Sequence, residues 1–243
     1  MSELDDLTVG VLGGLGPEAT LDFFAKVLAA TGAGTDQEHL HLLIDDNPKV
    51  PNRNQAIAGT GPSAGPALVA MARRLELAGA DFLVMACNTA HYYEPEIRSA
   101  VAVPFVSIVD ETCEALADLV PGATKLGVMA AGGCRQAGLY DLALRARGIE
   151  PIVTDEAEQA LFMECMYAIK AGDRGPSIKV RMTELGERLI GRGALAVIAA
   201  CTEVPLVLSD GDLSRPLVDS TAMLAEATVA YAKRRRPLPG CSA

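Results

Sequence analysis

No apolar run in the 243 residues continues, without charges or turn formers, for the roughly 20 residues that a bilayer-crossing helix needs. A membrane-spanning role is excluded on that reading. Positive charge is also scarce, with 21 Lys and Arg against 31 Asp and Glu and a net charge of −10, which argues against a broad nucleic-acid surface. The one basic cluster, KRRRP at Lys233 to Pro237, has no interleaved aromatics and reads as a solvated chain end. The start, MSELDDL, is acidic where a secretory leader is basic, so the expected setting is the cytoplasm. Cysteines lie at 87, 113, 134, 165, 201 and 241 with no C-x-x-C pair and no tight Cys/His cluster. That spacing predicts no metal site, and in a reducing compartment no disulfide framework.

What is present is core-forming material, at 50% hydrophobic residues, enough for one large domain or two smaller ones. Eight short runs rich in Val, Ile and Leu recur: LTVGVLG, HLHLLID, ADFLVMAC, PFVSIV, KLGVMAA, EPIVT, LAVIAAC and PLVDS. Their hydrophobicity is continuous, as in parallel strands covered on both faces. Between them, PEATLDFFAKVLAATG, ALVAMARRLELAGA, GLYDLALRARG and SIKVRMTELGERLIGRG read as helices, with stop signals at Gly32, Gly148 and Gly191. The alternation predicts an α/β fold.

Three segments echo one another in order, although no short period runs through the chain. TVGVLGGLGPEAT pairs with KLGVMAAGGCRQAG, ADFLVMACNT with ALAVIAACTE, and PFVSIVDET with RPLVDSTAM. The echoes predict two similar domains, each a mainly parallel sheet flanked by helices and related by pseudo-twofold symmetry. The expected division is residues 1–111 plus 213–243 against 112–212, with the changeover in the helix ETCEALADLV. A site in the cleft between them then sits at the carboxyl ends of the strands, where open α/β sheets place ligands.

The second echo places Cys87 and Cys201 at equivalent strand ends, each followed by small hydrogen-bonding residues. Taken singly, a cysteine there is an ordinary small core residue. A pair facing one cleft can do more. Thiols titrate near 8.5, so modest tuning by the following backbone N–H groups, Asn88, Thr89 and Thr202 makes one a base while the other remains an acid. An acid and a base on opposite faces of a carbon invert a stereocentre.

At these residues the chain resembles the aspartate/glutamate racemases that work without pyridoxal phosphate, and most closely the aspartate racemase branch. The matching stretches are GVLGGLGPEAT, DQEHLHLLIDDNPKVPNR, LELAGADFLVMACNTAH, GIEPIVTDEAEQ, YAIKAGD and CTEVPLVL, spread over nearly the whole chain. The resemblance implies the two-domain racemase fold, two catalytic cysteines (Cys87 and Cys201), no cofactor, a small amino-acid substrate and a homodimer. It implies that Asn88, Thr89 and Thr202 hold the substrate's α-carboxylate and amino group. Arg53 and Lys170 match the cations that hold a side-chain carboxylate, by bidentate and point-charge contacts respectively, so the implied substrate is aspartate or glutamate. Gly14, in the matched Gly-rich turn, and Glu203 are counted among the expected substrate-binding residues. Glu203 either tunes the Cys201 thiol or caps the following turn, and His91 is read as structural.

One turn departs from the pattern. Where the family writes a hydroxyl-rich T-x-G-T-x-x-S-G, this chain has AAGGCRQAGLY: Cys134 stands for a Thr, Ala137 for a Ser, and Arg135 is added. Lost hydroxyls remove donors, and a guanidinium there is expected to replace or enlarge a carboxylate site. Cys113, Cys165 and Cys241 are read as bystanders. The rival readings are a superfamily isomerase or decarboxylase of another acid, a non-enzymatic binding protein, and a nicotinamide oxidoreductase. The last rests on Gly14, Gly16 and Ala19 as G-x-G-x-x-A, but the next strand-ending acid, Asp45, follows Gly14 by about 30 residues instead of about 20.

Overall fold

The computed structural model describes residues 6–240. Cys241 and the first five residues of the acidic start lie outside them. The first half runs β1 (Val9–Gly13), α1 (Pro17–Thr31), β2 (Leu42–Asp46), α2 (Arg53–Ile57), α3 (Gly65–Leu77), β3 (Phe82–Met85), α4 (Glu94–Ala100), β4 (Phe105–Val106) and α5 (Ile108–Leu119). The second continues with β5 (Lys125–Ala130), α6 (Gly132–Gln136), α7 (Leu139–Arg145), β6 (Glu150–Val153), α8 (Glu156–Lys170), α9 (Pro176–Gly191), β7 (Val197–Ala200), β8 (Leu217–Asp219) and α10 (Ser220–Ala232). Each of the eight apolar runs contains a strand.

The strands form two parallel four-stranded sheets, ordered β2-β1-β3-β4 and β6-β5-β7-β8. The order is the same in both, and the echoed segments occupy matching strands. Even the close contacts repeat: a Cβ on Gly10 of β1 would meet Leu75 of α3 at 3.1 Å, and one on Gly127 of β5 would meet Leu189 of α9 at 3.0 Å. Each glycine lets a helix settle onto its sheet.

Burial explains the continuous hydrophobic runs. Val9 and Val11 of β1 and Leu126 and Val128 of β5 face a central core filled by α1, α5, α7 and α10. Leu12, Leu83 and Met85 face outward onto α3 and α4, and Met129, Val197 and Ala199 face outward onto α8 and α9. No strand face on these central strands is left to water. Phe23 of α1 and Phe162 of α8 are fully buried, and truncating either to Ala costs about 3–5 kcal/mol.

Local expectations fail in three places. PFVSIV is a strand only at Phe105–Val106; Ile108 and Val109 already belong to α5 and are buried, and Asp110 and Glu111 in its first turn favour the helix dipole. Gly191 is the last helical residue of α9, and the left-handed stop is Gly193, at φ 100°. Helix α8 is absent from the expected helices. Its start is a capping box, with Asp155 accepting from the Glu158 amide and Glu158 accepting from the Asp155 amide. The closing segment, expected to belong whole to the first domain, is divided: β8 pairs with β7 and completes the second sheet, as its echo of β4 requires, while α10 packs on α1 and α5. No described helix is long and apolar enough to cross a membrane.

Candidate active site

In register, Leu12 pairs with Met85 and Ala130 with Ala200. The Gly-rich turn after β1 therefore adjoins Cys87, and the turn after β5 adjoins Cys201. Gly14 takes φ 78°, and a Cβ there would collide with the backbone of Asn47 and Pro48; its amide donates to Thr20 Oγ1 at 2.9 Å. This turn presents the Leu15 carbonyl inward. Arg53 Nη2 donates to that oxygen at 2.5 Å, Lys170 Nζ at 3.4 Å and the Cys87 thiol at 3.9 Å.

Cys87 follows β3 and is 7% exposed. His91 fixes its backbone. The Ile108 amide donates to His91 Nε2 at 3.0 Å, so Nδ1 carries the proton and donates to the Cys87 carbonyl at 2.8 Å. Burial holds the His91 pKa below its ordinary value, and the neutral ring acts as a strut.

Cys201 follows β7 and is 6% exposed. Its Sγ lies 3.0 Å from Glu203 Oε2, and Glu203 Oε1 is ion-paired with Lys170 from the end of α8. Burial and the Glu203 charge push the Cys201 thiol well above its ordinary pKa, and Lys170 offsets this only in part. Burial opposes the Lys170 charge, but Glu203 and the nearby thiols outweigh it and raise its pKa. Turn capping by the Glu203 side chain is not seen: the following turn has no side-chain cap.

Both thiols, with Asn88, Thr89 and Thr202, border one cavity of about 20 Å³, room for about one water. Arg53, Lys170 and Glu203 form another part of its wall. The same three residues border a second space of about 160 Å³, which Gly14, Pro17 and Leu206 also line. Two cysteines at repeated strand ends thus face one small space, beside a wall of two cations and a carboxylate and an annexe.

Residues 12–228 match the family described as Asp/Glu/Hydantoin racemase. The chain belongs to that family. It is thereby an isomerase by class. It is 32% identical over 225 residues to the broad specificity amino-acid racemase RacX of Bacillus subtilis (strain 168), covering 91% of this chain and 96% of that one. Among solved structures it is similar to Picrophilus torridus aspartate racemase, with 28% identity, a TM-score of 0.80 and coverage of 93% and 94%. It is also similar to PH1733, an aspartate racemase homologue from Pyrococcus horikoshii OT3, with 25% identity, a TM-score of 0.74 and coverage of 93% and 98%.

Within this racemase fold the atypical turn is divided: Ala131 borders the thiol cavity, but the two residues expected to reshape it, Cys134 and Arg135, do not. Cys134 and Arg135 of α6 border a separate cavity of about 240 Å³, with Tyr140 and Val153, and not the one between the thiols. Cys134 is 1% exposed, and burial pushes its thiol to about 12. Arg135 Nη1 donates to Thr154 Oγ1 at 2.9 Å and to Gln159 Oε1 at 2.6 Å. Those acceptors, after β6 and on α8, draw the guanidinium away from the cysteines, so it does not enlarge their site.

Three participants escaped the sequence reading. Asn54 borders the cysteine cavity and its Oδ1 accepts from the Gly133 amide at 2.8 Å, tying α2 to α6. Met166 of α8 lines the same cavity. The Leu15 carbonyl is the third. A backbone oxygen leaves no side-chain signature, whereas Asn54 stands next to Arg53 in PNRN and was within reach of inspection.

Proposed function

We propose that this chain is a cofactor-independent amino-acid racemase that moves protons at Cα between Cys87 and Cys201. The observation that carries the reading is the meeting of the two thiols in one cavity at the ends of repeated strands. One sulfur, as thiolate, removes the Cα proton, and the electron pair left on carbon spreads into the α-carboxylate. The other sulfur, as thiol, delivers a proton to the opposite face. Cys201 enters as the acid, consistent with its raised pKa, and Cys87 as the base. In the reverse direction the roles exchange: Cys201, left as thiolate by its delivery, removes the Cα proton, and Cys87, which holds the proton it abstracted, delivers it, while Glu203 Oε2 at 3.0 Å positions the Cys201 sulfur. Thr89 and Thr202, with the amides after each strand, hold the α-carboxylate and amino group.

Aspartate or glutamate heads the proposed substrates, its side-chain carboxylate directed to Arg53 and Lys170. The annexe beside these cations and the broad-specificity name of the Bacillus relative support acceptance of longer side chains too. The proposal places the site between two domains built on the two sheets, with β8 counted to the second. A cytoplasmic homodimer completes it, on the family resemblance.

The deciding experiment incubates both enantiomers of each proteinogenic amino acid in D₂O and follows optical purity and Cα deuteration. Racemisation with deuterium uptake, lost in both Cys87→Ser and Cys201→Ser, is the expected result. Inversion without exchange, or release of CO₂, would replace the reading with the isomerase or decarboxylase alternative.

A further inference from the structure

We propose that Tyr140 and Ser220 are positioning residues that act through Asn88 to fix the separation of the two thiols. This rests on the two-thiol reading above. The Tyr140 hydroxyl donates to Asn88 Oδ1 at 2.6 Å, Asn88 Nδ2 donates to Ser220 Oγ at 3.0 Å, and Ser220 Oγ donates to the Ala199 carbonyl at 2.7 Å. Asn88 is the residue after Cys87, and Ala199 lies on β7 two residues before Cys201. The chain of bonds therefore runs from one catalytic strand end to the other.

Its members are all shielded from water: Asn88 is 1% exposed, Tyr140 2%, and Ser220 and Ala199 0%. The polarity is also determined. A carbonyl oxygen at Ala199 forces Ser220 to donate there, which leaves the serine oxygen to accept from the Asn88 amide nitrogen and turns Asn88 Oδ1 toward the tyrosine. The Asn88 side chain thus spends its oxygen and one N–H on protein partners, so its first duty is to link Cys87 to the second sheet. The Tyr140 hydroxyl also meets Ser220 and, at 3.5 Å, Thr112 Oγ1, so it touches both side chains of the link.

Such a gauge matters because both sulfurs must reach opposite faces of a single carbon. A misplacement of about 1 Å in a reacting group costs on the order of 100-fold in rate. Loosening the link spares removal of the proton by one thiol and harms its delivery by the other. The abstracted proton then exchanges with solvent and returns to the face it left.

The test uses Tyr140→Phe and Ser220→Ala in the full chain, with urea midpoints recorded beside activity. Tyr140→Phe keeps the ring and removes only the donor; Ser220→Ala breaks the link from the other end, so a folding failure in one leaves the other. In D₂O, the ratio of Cα exchange with retention to inversion is expected to rise about fivefold, the factor commanded by one neutral hydrogen bond. A merely structural role lowers both rates in proportion and leaves the ratio unchanged, which would overturn the proposal. A second readout needs no substrate: bridging of Cys87 to Cys201 by dibromobimane, identified by peptide mapping, is expected to slow in both variants. Bridging at the wild-type rate in both would overturn the gauge even if the wild-type protein failed to racemise any amino acid, a failure that would count against the two-thiol reading itself.

Discussion

Glu203 Oε2 lies 3.0 Å from Cys201 Sγ, while the other oxygen of the same carboxylate is paired with Lys170. The buried carboxylate thus connects a thiol to an ammonium, and among the described residues no carboxylate stands on Cys87, whose hydrogen-bond partner is the Leu15 carbonyl. The two cysteines are equivalent in the repeat and unlike in their chemistry.

Replacing Glu203 by Gln removes the charge that helps to raise the Cys201 pKa and loosens the contact that positions its sulfur. The pH midpoint for alkylation of Cys201 is expected to fall, because the thiolate is no longer opposed by a neighbouring negative charge. Racemisation is expected to fall by about 100-fold, the scale of misplacing a reacting group by about 1 Å. Iodoacetamide kinetics with peptide mapping check the first; an unchanged midpoint would show that the carboxylate does not govern this thiol.

The strands, their parallel pairing and the two-sheet plan were legible because continuous apolar runs and repeated Gly-rich turns carry them. Cys87, Asn88, Thr89, Cys201, Thr202, Arg53 and Lys170 were placed at one cavity by motif and resemblance together. What escaped depends on partners distant in sequence: no local pattern tells that Arg135 turns to Thr154 and Gln159, or that Arg53 donates to the Leu15 carbonyl. Helix α8 is a different case, since D-x-x-E before EQALF is a readable start signal.

Arg135→Ala tests whether the atypical turn sets the substrate. With its guanidinium committed outside the cysteine cavity, kcat/KM for the preferred amino acid is expected to stay within about twofold, as for a change away from a site. A large rise in KM, with kcat retained, would put the arginine back among the substrate contacts.

His91 predicts a pH dependence of stability. Its folded pKa is depressed below about 6.5 by burial, so between the two values the unfolded chain binds the extra proton. The contribution is complete above the unfolded pKa and is lost as pH falls from there toward the folded value, by up to about 1.4 kcal/mol per pH unit. His91→Gln can still donate to Cys87 and accept from Ile108 without titrating. Urea unfolding between pH 7.5 and 5 is expected to show a steeper loss for wild type than for the variant; parallel curves would remove His91 as the cause.

Gly16→Ala separates the site from the fold. Gly16 has φ −128° and ψ 136°, a conformation alanine adopts freely, so the backbone gives no reason to expect instability. Its Cβ would stand 3.0 Å from both Glu203 Oε1 and Lys170 Nζ, and the ends of those side chains must yield. The expected result is a urea midpoint near wild type with kcat/KM reduced about tenfold, since displacing Glu203 also displaces it from Cys201 and even modest misplacement of a catalytic group is costly. Gly32→Ala is the opposite case. Gly32 caps α1 at φ 61° with nothing near its missing Cβ, so alanine costs about 1 kcal/mol of stability and leaves kcat/KM alone. If Gly16→Ala lost stability and kept its activity, the close approach of the first Gly-rich turn to the Lys170–Glu203 pair would have no part in catalysis.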